Sequence, residues 1–196
     1  MRIETERLIV RDFSPADQTA LYEIATDPHV LEYCPDLLER DVTFDKTLSY
    51  IETFMQIGEN DIATWRCYAI ELKESGEVVG CLTFSQAQLL FEHELGWMMK
   101  SAHTKKGYAS EAASAFFNYI CETYNLEYLI VFMDTDNPAS YRTAEKAGFR
   151  LFEKRTVYDY HYNRYCDDYY YFRRYRKDSL LKEKFYGDKI YTGRHA

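Results

Sequence analysis

The sequence predicts an α/β (α+β) fold: a mixed, mostly antiparallel sheet flanked by helices. Two observations carry this. Trp65 to Leu72, Val78 to Ser85 and Leu89 to Met99 follow one another at short intervals, as consecutive antiparallel strands do. Beyond them the order becomes strand, glycine loop, helix, strand, capped helix, strand. With 196 residues, 46% of them apolar, the chain can bury a core of ordinary size without disulfides. One domain over 1–176 followed by a polar tail over 177–196 is the expected organisation.

Taken in order, residues 2 to 12 predict a first strand, and Ser14-Pro-Ala-Asp17 a helix start leading into Gln18 to Ala25. The segment between about Asp27 and Trp65 has loop-like stretches at Asp27-Pro28 and Cys34-Pro35-Asp36, with a second helix over much of Asp45 to Gln56. Lys73-Glu-Ser-Gly-Glu77 joins the next two strands. After Phe149, Thr156 to Tyr165 alternates with period two and Asp167 to Tyr175 is again rich in tyrosine, which predicts two paired strands. Such tyrosines suit a sheet face, a substrate wall or a contact between two copies in a homodimer.

Two motifs stand out in the second half. Thr104-Lys-Lys-Gly-Tyr-Ala-Ser-Glu111 is a short backbone loop opening into a helix whose apolar face is Ala109, Ala112, Ala113, Phe116, Phe117 and Ile120. Gly107 permits close approach to the main chain, and free N–H groups beside Lys105 and Lys106 favour a phosphate or pyrophosphate. Glu111, in the first helical turn, complements the helix dipole. Leu129-Ile-Val-Phe-Met133 is a short apolar run typical of a buried strand. Asp136-Asn-Pro-Ala-Ser-Tyr-Arg-Thr-Ala-Glu-Lys-Ala-Gly-Phe149 then reads as a capped helix, with Asn137 at the N-cap, Pro138 at the first position and Gly148 in the left-handed residue beyond the last turn.

Together these motifs resemble the acetyl-coenzyme A site of the GNAT N-acetyltransferase superfamily. The loop pattern Q/R-x-x-G-x-G/A falls on Thr104, Gly107 and Ala109, and Asn-x-x-Ser-(x)4-Glu-Lys-x-Gly-Phe falls on Asn137, Ser140, Glu145, Lys146, Gly148 and Phe149. Ile3-Glu-Thr-Glu-Arg-Leu-Ile-Val-Arg11, followed by Asp17, is similar to the opening of the RimJ/RimL-like branch, which acetylates protein N-termini. The likeness covers about residues 1 to 155. Two positions depart from the pattern: Thr104 stands where Arg or Gln is usual, and Lys105 where Gly is frequent.

The resemblance implies a twisted sheet of about seven strands, opened between the fourth and fifth to admit acetyl-CoA as cosubstrate. Its pyrophosphate would lie on Thr104, Lys105, Lys106, Gly107, Tyr108 and Ala109, and its pantetheine arm along Trp97, Met98 and Met99, with Asn137 and Ser140 across from it. Gly96 would ease a bulge in that strand.

Transfer of acetyl to an amine requires a neutral amine, a stabilised oxyanion and a proton for the leaving thiolate. A backbone N–H near Trp97 or Met98 would receive the oxyanion. Glu94 matches the acidic position of this strand and is the candidate base; an anchor for a cationic acceptor is its other reading, and Glu92 and water are the alternatives. His93 points to the opposite face. The tyrosine acid of many relatives is replaced by Ala144, which leaves Ser140 to hydrogen-bond the thiolate or, alternatively, to satisfy the helix backbone. The acceptor implied is a primary amine: first a protein or peptide N-terminus, then a small cationic amine such as a polyamine or aminoglycoside. A silent acyl-CoA-binding module is the non-enzymatic alternative.

Bulk properties narrow the partners. A formal charge of −8 opposes binding to nucleic acid and favours a cationic partner. Cys34, Cys67, Cys81, Cys121 and Cys166 are odd in number and widely spaced, so neither a disulfide framework nor a metal site is expected, and they read as reduced thiols. The charged start and the absence of a long apolar run point to a cytoplasmic protein outside the membrane.

Overall fold

A computed structural model describes residues 1–35, 37–39, 41–87, 92–159, 164–179 and 181. Eight strands form one sheet, in the order β1-β2-β3-β4-β5-β6-β8-β7. They are β1 (Arg2–Glu4), β2 (Leu8–Asp12), β3 (Arg66–Leu72), β4 (Val78–Ala87), β5 (Glu92–Met99), β6 (Tyr128–Asp134), β7 (Arg150–Asp159) and β8 (Arg164–Tyr175). Every pairing is antiparallel except that of β5 with β6. The helices are α1 (Gln18–Ala25), α2 (Pro28–Tyr33), α3 (Phe44–Gln56), α4 (Tyr108–Thr123) and α5 (Pro138–Lys146).

The expected first strand is in fact two. At Thr5 the chain turns: its N–H donates to the Leu8 carbonyl at 3.0 Å and its hydroxyl accepts from the Leu8 N–H at 2.9 Å, so residues 2–4 fold back on 9–11. This turn raises the strand count from about seven to eight. The second difference is α2. Asp27-Pro28, expected as loop, is a helix start: the Asp27 carboxylate accepts the His29 N–H at 2.9 Å and Pro28 needs no partner. The third concerns the tyrosine-rich segment. β7 begins directly after the Gly148 turn, so Thr156 to Tyr165 is divided between β7 and β8; residues 160–163 lie outside the described residues. Residues 88–91, at the expected start of β5, and the tail beyond 181 also lie outside them.

Each sheet face is covered by the helices whose apolar stripes match it. α4 presents Ala112, Ala113, Phe116, Phe117 and Ile120 to Leu8, Val10, Tyr68, Ile70, Leu82, Phe84, Leu95 and Val131, with Ala144 and Ala147 from the α5 region and Phe149 completing that core. On the other face α1, α2 and α3 bury Leu21, Ile24, Val30, Ile51 and Phe54 against Cys67, Ala69 and Cys81. Asp17 fixes the entry to α1. Its carboxylate accepts the Ser14 N–H and hydroxyl, both at 2.8 Å, and pairs with Arg11 at 2.7 and 2.9 Å. Cys67, Cys81 and Cys121 are not joined in disulfides.

Arg174 joins α4 to the end of α5. Its guanidinium donates to the Ala147 carbonyl at 2.7 Å, the Ser114 hydroxyl at 3.0 Å and the Asn118 side-chain carbonyl at 3.0 Å, and lies over the Phe117 ring. Gly148, at φ +86°, sits directly beneath it, and a methyl group there would stand 3.3 Å from Arg174 Nε. Gly148→Ala is therefore expected to lower stability by about 1–2 kcal/mol through the left-handed backbone alone, read by urea denaturation as a lower midpoint at unchanged slope.

Candidate active site

The sheet opens where its one parallel pair begins. β4 and β5 stay in register from Gly80↔Met99 to Ala87↔Glu92, and β6 and β8 from Tyr128↔Tyr175 to Asp134↔Tyr169. Between β5 and β6 only Glu94↔Ile130 is registered. Beyond it the β6-facing edge of β5 has no strand partner, and a cavity of about 730 Å³ fills the gap. The β4–β5 ladder shows no bulge at Gly96, contrary to expectation. Gly96 is needed for another reason: a Cβ there would lie 2.3 Å from the Thr83 hydroxyl oxygen.

Of the residues singled out from sequence, Glu94, Trp97, Met98, Met99, Thr104, Lys105, Gly107, Tyr108, Ala109, Asn137 and Ser140 all line this cavity. Lys106, expected beside Lys105, is not among the lining residues. Lys105 takes a left-handed conformation, φ 61°, and the chain turns there; the Lys106 carbonyl instead accepts from Arg7 at 3.0 Å. The cavity adds residues that sequence reasoning passed over: His29, Tyr33 and Cys34 in and just after α2, Phe132 and Asp134 on β6, Arg142 and Lys146 on α5, and Tyr169 on β8. The i,i+4 spacing of Arg142 and Lys146 on the helix of Ser140 was the available signal for two of these.

The α4 N-terminus is built to leave its amides free. Gly107, at φ 82°, is the N-cap and supplies no side chain to them; the first intrahelical bond runs from the Glu111 N–H to the Gly107 carbonyl at 3.1 Å. The N–H groups ahead of it belong to Tyr108, Ala109 and Ser110, which line the cavity together with Lys105, a combination that fits an anionic diphosphate. The Thr104 hydroxyl is spent on the Ser101 carbonyl at 3.0 Å, so Thr104 offers backbone here.

Glu111 does more than complement the dipole. Its carboxylate accepts the Thr5 hydroxyl at 2.5 Å, the Arg7 N–H at 3.0 Å and the Arg7 guanidinium at 2.6 and 2.7 Å, and Arg7 also lies over the Tyr108 ring. Burial pushes this carboxyl up, but the Thr5 and Arg7 hydrogen bonds outweigh it and hold it below the usual carboxylate range. On the opposite side Ser101 donates its N–H to Asp27 at 2.8 Å and Lys100 pairs with Glu23 at 2.6 Å. The loop is thus fixed from both flanks.

Glu94 is half-buried in the cavity wall and accepts no hydrogen bond from any described residue. Burial alone pushes its carboxyl up to about 7. Glu92, on the same face, is already committed to Arg173 at 2.5 Å and does not line the cavity. His93 points to the core side, stacked on Phe84 with ring centroids 5.7 Å apart. On α5 the cap is made by Asn137, whose side-chain carbonyl accepts the Ser140 N–H at 3.0 Å. The Ser140 hydroxyl is not used for capping. Among the described residues, no group of three or more His, Cys, Asp or Glu side chains converges on a common point, and no helix is long and apolar enough to cross a membrane.

Residues 7–150 match the acetyltransferase (GNAT) domain family. The chain belongs to the GNAT acetyltransferases. It is 30% identical over 175 residues to the uncharacterized N-acetyltransferase YnaD of Bacillus subtilis, a match spanning 87% of this chain and 95% of that one. A GNAT acetyltransferase from Bacillus anthracis superposes with a TM-score of 0.75 at 28% identity, covering 89% and 98% of the two chains. The fold is also shared with RimL, the ribosomal L7/L12 alpha-N-protein acetyltransferase solved with coenzyme A, at a TM-score of 0.72 and 16% identity over 89% and 98%.

Two measurements check this geometry. Arg7→Ala leaves the half-buried Glu111 carboxylate short of its strongest donors and is expected to cost about 1–3 kcal/mol, with faster hydrogen–deuterium exchange at the amides of residues 107–110. Glu94 should titrate near neutrality in a carboxyl-carbon NMR experiment. Because its folded value lies above its unfolded one, stability falls as pH rises from about 4.5 to about 7. Glu94→Gln is therefore expected to be more stable than the parent chain at pH 8, the difference shrinking toward pH 5 in urea denaturation.

Proposed function

We propose that this acetyltransferase uses acetyl-CoA to acetylate the α-amine at the N-terminus of a protein or peptide. The observation that carries this is the placement of Glu94. A carboxylate without a hydrogen-bond partner among the described residues, held near neutrality by burial, stands where β5 and β6 part, in the same cavity as the free amides of α4. In the proposed arrangement those amides and Lys105 hold the pyrophosphate of acetyl-CoA, and the unpaired edge of β5 from Trp97 to Met99 hydrogen-bonds its pantetheine arm. Arg142 and Lys146 add positive charge from α5.

Each chemical task then has a group. Glu94 takes a proton from the ammonium, directly or through water, so that the amine nitrogen can form its bond to the thioester carbon. A β5 backbone N–H receives charge as it develops on the carbonyl oxygen. As the carbon–sulfur bond breaks, the second proton of the now cationic nitrogen passes through water to the leaving sulfur, and the Ser140 hydroxyl, free of capping duty, donates a hydrogen bond to the thiolate as it forms. The RimL likeness supports a peptide acceptor. A small cationic amine is the second reading, favoured by the −8 charge and by Glu94 and Asp134 on the cavity wall.

Thermal stabilisation by coenzyme A tests the cosubstrate, and thiol release with N-terminal peptides, polyamines and aminoglycosides tests the reaction. The expected kcat/KM with peptides rises with pH through about 7, and Glu94→Gln removes that limb while lowering turnover about 100-fold or more. Binding of coenzyme A without turnover of any acceptor would leave only an acyl-CoA-binding module.

A further inference from the structure

Phe132 is out of keeping with its strand. Its neighbours Val131 and Met133 are 1% and 6% exposed and belong to the core beneath α4, and Ile130, on the same face as Phe132, is 1% exposed. Phe132 itself is 38% exposed and lines the cavity. The difference arises at the splay. Ile130 is opposite Glu94, where the two strands are still paired, whereas two residues further along, about 7 Å, the pairing with β5 has ended and the ring faces the cavity.

The ring is held rather than loose. It stacks on Tyr171 with centroids 5.6 Å apart and planes at 26°, and meets the edge of Tyr169 at 5.9 Å. Tyr171 is backed by the Arg155 guanidinium, 4.9 Å above its ring and itself paired with Glu153. Alternation along β6 puts Phe132 on the face of Glu94, and the Glu94 charge is felt at the Tyr171 hydroxyl. The result is a braced aromatic wall in the same cavity as the carboxylate proposed as base.

We infer that Phe132, braced by Tyr171 and Tyr169, determines acceptor specificity by receiving the side chain of the residue that carries the amine, and that this side chain is large and apolar. The inference rests on the acetyl-transfer reading above. An ammonium beside Glu94 satisfies that carboxylate, which leaves the next part of the acceptor against the exposed face of the Phe132 ring, which offers no hydrogen bond; Asp134 and Tyr169 are paired two residues further along β6 and β8. A Leu, Met or Phe side chain removes that ring from water; an Ala or Ser side chain is too short to cover it.

The test uses the full chain, acetyl-CoA and peptides identical from their second residue onward, beginning with Leu, Met, Phe, Ala, Ser or Lys, with spermidine alongside. The expected kcat/KM for the large apolar residues exceeds that for Ala and Ser by about tenfold or more. Phe132→Ala erases that margin, Phe132→Leu keeps part of it, and the KM for acetyl-CoA is unchanged in both. A wild-type preference for Ala, Ser or spermidine overturns the inference, as does an unaltered rank order in Phe132→Ala; should that variant fail to fold, Phe132→Leu decides by the same criterion. If no acceptor is turned over, fluorescence anisotropy of labelled peptides on the coenzyme A-saturated protein separates the two ideas. Selective binding lost in the variants upholds the wall while acetyl transfer falls, and unselective binding overturns the wall.

Discussion

The structure depends on one parallel strand pair that cannot stay paired. β5 is stitched to β4 along its whole length and β6 to β8 along its whole length, so each follows the twist of its own antiparallel partner. They meet at Glu94 and Ile130 and part. Backbone groups that would be costly to bury unpaired are tolerated because the gap is open to ligand and water. The crossover helix α4, obligatory for a parallel connection, delivers its N-terminus to the mouth of the same gap. Cavity, free amides and the place of Glu94 thus follow from a single topological fact.

The walls of that gap are held by side chains from distant parts of the chain. Thr5 and Arg7, in the turn that divides the first strand, reach the α4 N-terminus, while Asp27 and Glu23 reach the segment before the loop. The N-terminal residues therefore contribute to the site without lining it. Glu92 and Glu94 show the same economy on β5. Two carboxylates two residues apart share a face, yet one is paired with Arg173 while burial pushes the other up to about 7, and this difference in partners is what sets them apart.

Much of this was legible in sequence because it is local. Asn137, Pro138 and Gly148 punctuate α5 by rules that involve only neighbouring residues, and Gly107 announces a backbone turn before a helix. What was hidden is non-local. Leu129 to Met133 reads as uniformly buried, and nothing in those five letters says that β5 departs from Phe132 but not from Ile130. Lys105 and Lys106 are indistinguishable in sequence, and the positive φ at Lys105 separates their fates. Gly96 was assigned to a bulge when its task is to make room for Thr83, a neighbour on another strand. Asp27-Pro28 suits a turn as well as a helix start, and six residues are too few for periodicity to decide.

The two helices that flank the gap are anchored by arginines of different character. Arg7 is an ion pair at the surface, 45% exposed. Among the described residues no carboxylate pairs with the Arg174 guanidinium; carbonyl, hydroxyl and amide oxygens surround it in a half-buried site, against an aromatic ring. Dissolved salt shields the first joint and hardly touches the second. Ionic strength therefore acts on one wall of the cavity at a time: it slackens the α4 side, where the anionic end of a ligand would lie, and leaves α5 with Ser140 in place.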